Sequence, residues 1–258
     1  MLMTVHDVAQ RGFDTAASDY AQARPSYPTE AVAWLVKHCA ICPGSLVGDL
    51  AAGTGIFTRL LTPTGATVIA IEPVEGMRAV LRESLPGVPA LAATAEALPL
   101  ADGCLDAVTV AQAFHWFDAE RAFTELGRVL RLGGHVGLIW NARDRSVEWV
   151  DELWSIIDRV EKRAPWRDDE RWSESALGAR RGFGPLREAT FHHAQRLSPD
   201  DVVARFASVS HVAVLPDTER SAVLDEIRAL LATHPQTAGR PGLEILYRVD
   251  AYWCERLG

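Results

Sequence analysis

Apolar residues in the first 140 positions form two alternating patterns. Short continuous apolar runs predict strands that are buried on both faces. Five such runs are present, at residues 45–50, 67–71, 90–92, 105–113 and 135–140. Between them, apolar residues recur at helical spacing, and Thr29 and Asp118 are predicted to cap two of these helices. Strands that alternate with helices predict an α/β fold, a doubly wound parallel sheet with helices on both faces.

The pattern changes after Asn141. Residues 147–160 predict a helix, and Ser198-Pro199-Asp200-Asp201 is typical of a helix start. Two late strands, at residues 188–197 and 245–253, alternate between apolar and polar positions outside the strand–helix rhythm of the first half. They predict an antiparallel edge joined to the parallel sheet.

The chain shows no linker that would divide it. We therefore expect a single domain over residues 1–258. Residues 1–40 are predicted to form an N-terminal arm and a cap helix, and residues 141–240 to supply insertions on the substrate side. The arginine-rich stretch around Trp166 is interpreted either as a mobile surface insertion or as one wall of a substrate pocket.

A turn of small residues follows the first predicted strand and leads into a helix. Gly53 and Gly55 allow backbone angles that a side chain disfavours and leave room for a ligand beside the main chain. The following helix directs unpaired N–H groups toward the same space. Glu72 lies 19 residues beyond Gly53, at the end of the second strand, where a carboxylate faces the ribose of a bound nucleotide.

The residues around this turn favour S-adenosylmethionine over a dinucleotide. A dinucleotide motif would have a third glycine where this chain has Thr58. Asp49 precedes the turn, where an acid repels a diphosphate and attracts an ammonium group. An NAD(P)-dependent oxidoreductase is the first alternative, and a non-catalytic protein that binds S-adenosylmethionine is the second.

These motifs are joined by others further along the chain. The chain resembles class I S-adenosylmethionine-dependent methyltransferases, in the small-molecule branch that includes the fungal trans-aconitate methyltransferases. The resemblance implies a Rossmann-like seven-stranded sheet whose last strand is antiparallel, and transfer of a methyl group to a small molecule, such as a carboxylic acid. It rests on Arg24–Pro28, Asp49–Gly55, Ile71–Pro73, Thr94–Pro99 and Ala111–Asp118.

The resemblance also implies roles for individual residues toward the cofactor. It implies that the turn holds the methionine part and that Glu72 binds the ribose. Met77 and a later segment would contact the adenine, and Gln112 would lie near the transferred methyl group. The turn residues are Asp49, Ala51, Gly53, Thr54 and Gly55, and the adenine segment is Thr94, Ala95 and Glu96. The family often has Gly at Ala51, a harmless change if φ stays negative there, and often Asp at Thr94.

Other side chains are candidates for closure, chemistry and substrate recognition. Tyr20 and Arg24 are predicted to close over the cofactor, with Arg24 pairing its carboxylate. His115 is the candidate catalytic base, because it is the titratable residue nearest the expected methyl position. Four further residues are assigned to the substrate pocket, namely Phe114, Trp116, Arg143 and Arg145.

Composition limits the partners. The formal net charge of −8 and the pI of about 5.5 argue against nucleic acid and anionic membranes. The N-terminus lacks the pattern of a signal peptide, so we expect a cytoplasmic protein. No metal site is expected, because Cys39-Ala40-Ile41-Cys42 has no second ligand pair. The acceptor, its attacking atom and the oligomeric state stay open.

Overall fold

A computed structural model describes residues 24–161 and 181–258 of the chain. Tyr20 and the stretch around Trp166 lie outside the described residues. The described chain forms two compact units, and the division into one domain with insertions stays a prediction. The turn unit contains residues 26–141, 181–191 and 249–258, and the helical unit contains residues 24–25, 142–161 and 192–248.

The sheet has seven strands in the order β3-β2-β1-β4-β5-β7-β6. The first five strands in chain order pair in parallel. The final strand is antiparallel to β5, since Gly133 donates to the main-chain oxygen of Arg256 and Arg256 donates to that of Gly134. The predicted sheet is confirmed. Its strands are β1 (Leu46–Leu50), β2 (Thr67–Ile71), β3 (Ala90–Leu91), β4 (Leu105–Ala111), β5 (Leu130–Arg143), β6 (Arg187–Leu197) and β7 (Leu243–Glu255).

The described helices follow the predicted apolar repeats. Among the described residues, no helix has the length and apolar character that a bilayer crossing requires. The helices are α1 (Thr29–His38), α2 (Ile56–Leu61), α3 (Glu75–Ser84), α4 (Ala119–Val129), α5 (Glu148–Glu161), α6 (Pro199–Ala207), α7 (Ser210–Ala213) and α8 (Asp217–Thr233), with short 3₁₀ turns at Thr62–Thr64 and Phe114–Trp116.

The helix starts test the predicted caps. Asp118 accepts a hydrogen bond from the N–H of Arg121, and Ser198 forms a capping box with Asp201, as the sequence predicts. The prediction for Thr29 is wrong, because Thr29 is the first helical residue and Pro28 occupies the cap position. Proline has no N–H and a fixed φ, which suits it to the position before a helix.

Two apolar clusters bury both faces of the sheet in the turn unit. Val47 belongs to one cluster and Leu50 to the other, because residues an odd number apart on a strand face opposite sides. The turn after β1 also packs tightly. A Cβ at Gly55 would lie 3.0 Å from side-chain atoms of Leu81 and Leu85, so glycine lets the start of α2 pack against α3.

The helical unit has its own core. Trp154 of α5 and Phe206 of α6 are buried there, with ring centroids 4.7 Å apart. Apolar residues of α5, α6, α8 and the first part of β7 complete this cluster. The apolar repeats in the second half of the sequence are the helix faces that pack into this core.

Candidate active site

The carboxyl ends of β1, β2 and β4 bring the predicted cofactor residues together. These strands are parallel neighbours, so their carboxyl ends meet at one edge of the sheet. Gly53 follows β1, Glu72 follows β2 and Gln112 follows β4. Main-chain hydrogen bonds fix the turn to this edge, since the N–H of Ala52 donates to the oxygen of Ile71 at 3.2 Å.

The turn contains three residues in left-handed backbone conformations. Gly53 has φ of 57°, Gly55 has φ of 84° and Ala51 has φ of 49°. The negative φ under which alanine would be harmless at this position is therefore not present. A left-handed φ favours glycine, and alanine here places a Cβ in a conformation that disfavours it.

Replacing Ala51 by glycine is expected to stabilise the fold. Relief of the left-handed strain outweighs the added freedom of glycine in the unfolded chain, so the free energy of unfolding should rise by about 0.5–1 kcal/mol. Urea unfolding measures the change. Ala52→Gly is the matched control, because Ala52 is not among the left-handed residues, and it should lose about 0.4–1 kcal/mol. A loss in both variants would contradict the strain at Ala51.

Glu72 ties the end of β2 to the glycine turn. Its Oε2 accepts the N–H of Gly53 at 2.9 Å, and its Oε1 accepts the N–H of Val74 at 2.8 Å. The side chain is buried, which raises its pKa, while the two N–H groups and the charge of Arg78 oppose that rise. The carboxylate is thus held in one orientation beside Gly53.

Asp49 lies near the end of β1, as predicted, and is buried there. Its Oδ2 accepts the hydroxyl of Thr58 at 2.6 Å, and its Oδ1 accepts the hydroxyl of Thr109 at 2.8 Å. The pKa of Asp49 is raised to about 6: burial is the largest cause, the hydroxyls of Thr58 and Thr109 oppose the rise, and the charge of Glu72 adds to it. Any attraction to a ligand ammonium therefore acts through the field of a buried carboxylate.

Sequence reasoning missed Thr58 and Thr109. Thr58 was interpreted only as a missing glycine, and Thr109 lies inside an apolar strand. Both side chains are fully buried. A polar residue within the apolar run of β4 was the available signal, because a buried hydroxyl requires a hydrogen-bond partner.

The residues of the turn fit the methionine part of S-adenosylmethionine. A Cβ built on Gly53 meets no atom within 4 Å, so space is open beside the main chain there. Thr54 is 3% exposed, and its Oγ1 has no hydrogen-bond partner among the described residues. A buried hydroxyl without a partner beside open space suits a polar ligand group.

The residues that are predicted to contact the adenine lie in two separate segments of the chain. Met77 is buried in α3. Thr94 and Ala97 pair in an isolated antiparallel bridge. Ala95, which lies between these two residues in the sequence, is buried. Glu96 already has a partner, because its Oε1 accepts the N–H of Asp118 at 2.9 Å. These residues stay predicted adenine contacts.

The segment after β4 starts with a second strained residue. Gln112 has φ of 61°. Its N–H donates to the main-chain oxygen of Ile139 at 3.0 Å, and its Nε2 donates to the main-chain oxygen of Asn141 at 3.4 Å. Non-glycine residues in this conformation cluster at functional sites. The backbone after β4 is thereby held against β5.

The aromatic segment that follows divides between core and surface. Phe114 is 1% exposed, with its ring centroid 5.5 Å from those of Phe117 and Phe123. Phe114 is therefore a core residue, whereas the sequence predicted that it would line the pocket. Its ring packs against α4 instead. His115 and Trp116 are half-buried, with ring centroids 4.8 Å apart.

Three predicted site arginines lie in the helical unit: Arg24, predicted to pair the cofactor carboxylate, and Arg143 and Arg145, predicted to recognise the substrate. Nη2 of Arg24 donates to the main-chain oxygen of Ser208 at 3.0 Å. Arg143 pairs with Asp158 at 2.7 Å and lies over the ring of Trp154, and Arg145 pairs with Asp158 and with Asp151. Both substrate arginines already have carboxylate partners, and their role toward an acidic substrate stays a prediction. The carboxylates come from α5, and they pair with Arg143, which is half-buried, and with Arg145, which is exposed.

One group of possible metal ligands occurs among the described residues, in the helical unit. Ligand atoms of Glu148, Glu152 and His234 lie within 4.8 Å of one another. Nδ1 of His234 accepts the N–H of Gln236, so the neutral ring carries its proton on Nε2, the atom that faces Glu152 at 4.0 Å. A protonated Nε2 does not bind a metal, so these three residues are not assigned as a metal site.

Comparisons with known proteins agree on one family. A model of the methyltransferase domain matches residues 48–138. A protein of Mycobacterium tuberculosis, described as an uncharacterized methyltransferase, is 41% identical over 235 residues, which cover 91% of each chain.

Solved structures show the same fold. A putative type II methyltransferase from Anaeromyxobacter dehalogenans superposes with a TM-score of 0.66 at 24% identity, over 91% of this chain and 98% of that one. A phosphoethanolamine N-methyltransferase of Haemonchus contortus, in complex with phosphomonomethylethanolamine and S-adenosylhomocysteine, superposes with a TM-score of 0.59 at 15% identity, over 100% of this chain and 61% of that one.

Proposed function

Because the chain belongs to the class I S-adenosylmethionine-dependent methyltransferases, we propose that it methylates a carboxylate oxygen of a small organic acid. The use of S-adenosylmethionine is supported by one observation in particular. Glu72 accepts the N–H of Gly53, and the space beside Gly53 is open. The oxidoreductase alternative is wrong, because the family transfers methyl groups. The narrower likeness to trans-aconitate methyltransferases stays a prediction and motivates the choice of an acid.

The proposed cofactor contacts follow the edge of the sheet. S-adenosylmethionine supplies an electrophilic methyl group on a sulfonium. Glu72 would accept the ribose hydroxyls, and the turn from Asp49 to Gly55 would hold the methionine part, with Thr54 offering its hydroxyl. Gln112 would lie beside the methionine part, since β4 neighbours β1 in the sheet. Met77 and residues 94–96 would contact the adenine, and the roles of Tyr20 and Arg24 toward the cofactor stay predictions.

A carboxylate acceptor would need little chemical help from the protein. It is already a nucleophile at neutral pH, so no base must remove a proton. The main task is alignment of oxygen, methyl carbon and sulfur in one line, which can supply on the order of 7–11 kcal/mol. In this proposal His115 and Trp116 orient the acceptor, and His115 does not serve as a base.

The test is a screen for methyl acceptors. The full chain is incubated with S-adenosylmethionine labelled in its methyl group and with separate panels of small carboxylic acids, phenols and amines. We expect label in an acid, as an ester that releases labelled methanol in alkali, because ethers and methylamines do not release methanol there. Gly53→Val is the matched inactive control.

Two other results would overturn parts of the proposal. Label that survives alkali would replace the acid by a phenol or an amine and return His115 to the role of a base. Binding of S-adenosylhomocysteine without labelled product from any panel would support the non-catalytic binding protein.

A further inference from the structure

The turn unit contains a buried carboxylate whose partners among the described residues are side-chain hydroxyls. The described partners of Asp49 are the hydroxyls of Thr58, at 2.6 Å, and Thr109, at 2.8 Å. Asp49 is 1% exposed and both threonines are 0% exposed. The two hydroxyls come from different elements, α2 and β4, so the tertiary fold assembles this cluster at the base of the glycine turn.

We propose that Thr58 and Thr109 are positioning residues that keep Asp49 ionised, so that its charge attracts the ammonium group of the cofactor. Each hydroxyl donates its proton to one carboxylate oxygen and thereby favours the charged form. Valine has nearly the shape of threonine but cannot donate. This inference rests on the proposed placement of the methionine part over the turn.

The groups that face Asp49 determine the direction of its pH dependence. From α2 and β4 it faces the two hydroxyls, and from the end of β2 it faces the negative charge of Glu72. Burial and Glu72 raise the pKa of Asp49 to about 6, against the lowering effect of the hydroxyls. The carboxylate is therefore ionised at neutral pH and becomes neutral in mild acid.

The consequence is a proton-linked cofactor affinity. A ligand with an ammonium group should bind tightly above pH 6 and lose affinity as the pH falls below it. Methylthioadenosine retains the adenosine but has neither the ammonium nor the carboxylate of the amino acid. Its affinity should change little over the same range, because it carries no charge for Asp49 to attract.

Calorimetric titration of the full chain from about pH 5 to pH 8 tests this, with S-adenosylhomocysteine and methylthioadenosine as the two probes. For the wild type we expect the affinity for S-adenosylhomocysteine to fall at least fivefold between pH 7 and pH 5. Loss of one hydroxyl removes a hydrogen bond to a charged group, so Thr58→Val and Thr109→Val should each move the acid limb to higher pH by about one unit.

Thr67→Val is the matched control, because Thr67 is exposed at the opposite end of β2 and should leave the pH profile in place. Should a valine variant fail to fold, carbon NMR of the wild type replaces it. The carboxyl carbon of Asp49 is then followed through the same pH range without ligand, and a titration well above the ordinary aspartate range is expected.

The outcomes separate this inference from the proposed function. Tight binding of S-adenosylhomocysteine at every pH, or an unmoved acid limb in both valine variants, would overturn the inference alone. Parallel pH dependence of both probes would also overturn it, because the ammonium would not be the group concerned. No binding of S-adenosylhomocysteine at any pH would overturn both proposals.

Discussion

Replacing Asp49 by asparagine is expected to stabilise the protein at neutral pH and to weaken its cofactor binding. Burial raises the pKa of this carboxyl from 3.8 to about 6, so the folded protein holds the proton more tightly than the unfolded chain. The protonated carboxyl favours folding below about pH 4, and that contribution is lost as the pH rises through 6.

The size of the effect follows from the shift. A difference of about two pH units corresponds to about 3 kcal/mol, and we expect Asp49→Asn to recover about 1–3 kcal/mol in the free energy of unfolding above pH 7. Asparagine can accept from one threonine hydroxyl and donate to the other, so the cluster keeps its contacts. Urea unfolding at pH 7.5 and at pH 4 measures the change, and the difference between the proteins should be smaller at pH 4.

The same variant should lose affinity for S-adenosylhomocysteine by at least tenfold at pH 7.5, together with the acid limb of its pH profile. We therefore expect a more stable protein that binds the cofactor more weakly. The buried charge of Asp49 would aid ligand binding, but it destabilises the fold. Wild-type affinity in Asp49→Asn would contradict an electrostatic role for Asp49.

Replacing Gly53 by valine is expected to abolish cofactor binding while the fold is retained. A Cβ at Gly53 meets no protein atom within 4 Å, so the valine methyl groups would occupy the space proposed for the ligand. We expect the affinity for S-adenosylhomocysteine to fall more than 100-fold by calorimetry, about 3 kcal/mol of binding free energy. Valine at φ of 57° also strains the backbone, at a cost of about 1–3 kcal/mol in stability.

Gly44→Val controls for that strain. Gly44 has φ of 92°, a Cβ there also meets no atom within 4 Å, and it lies before β1, at the other end of the strand from the turn. Both variants should lose similar stability, and only Gly53→Val should lose binding. Comparable losses of binding in the two variants would place the effect in the fold and would remove the turn from the cofactor site.

The sequence alone predicted the elements that build the edge of the sheet. Apolar runs and helical repeats are local patterns, so β1, β2 and β4 and the helices between them were predictable from consecutive residues. The glycine turn and Glu72 were predictable for the same reason, because a parallel sheet brings the ends of neighbouring strands together whatever the details of packing.

Several side chains had partners that the sequence did not reveal. Phe114 was predicted to line the substrate pocket, but it packs into the core with α4. Arg143 ends β5 and Arg145 lies just after it, where the sequence predicts substrate arginines, but Asp158 of α5 pairs with both. In each case the partner is distant or lies on another element, and many carboxylates or aromatic rings were equally available to a reader of the sequence.

The turn shows both sides of this division. Its position, its glycines and the acid that precedes it follow from the sequence, because they depend on residues next to one another. The left-handed backbone of Ala51 and the burial of Asp49 required the tertiary structure. Thr109 lies 60 residues from Asp49, and only the pairing of β1 with β4 brings its hydroxyl to the carboxylate. The chemistry of a buried charge depends on such long-range neighbours, and tertiary packing decides them.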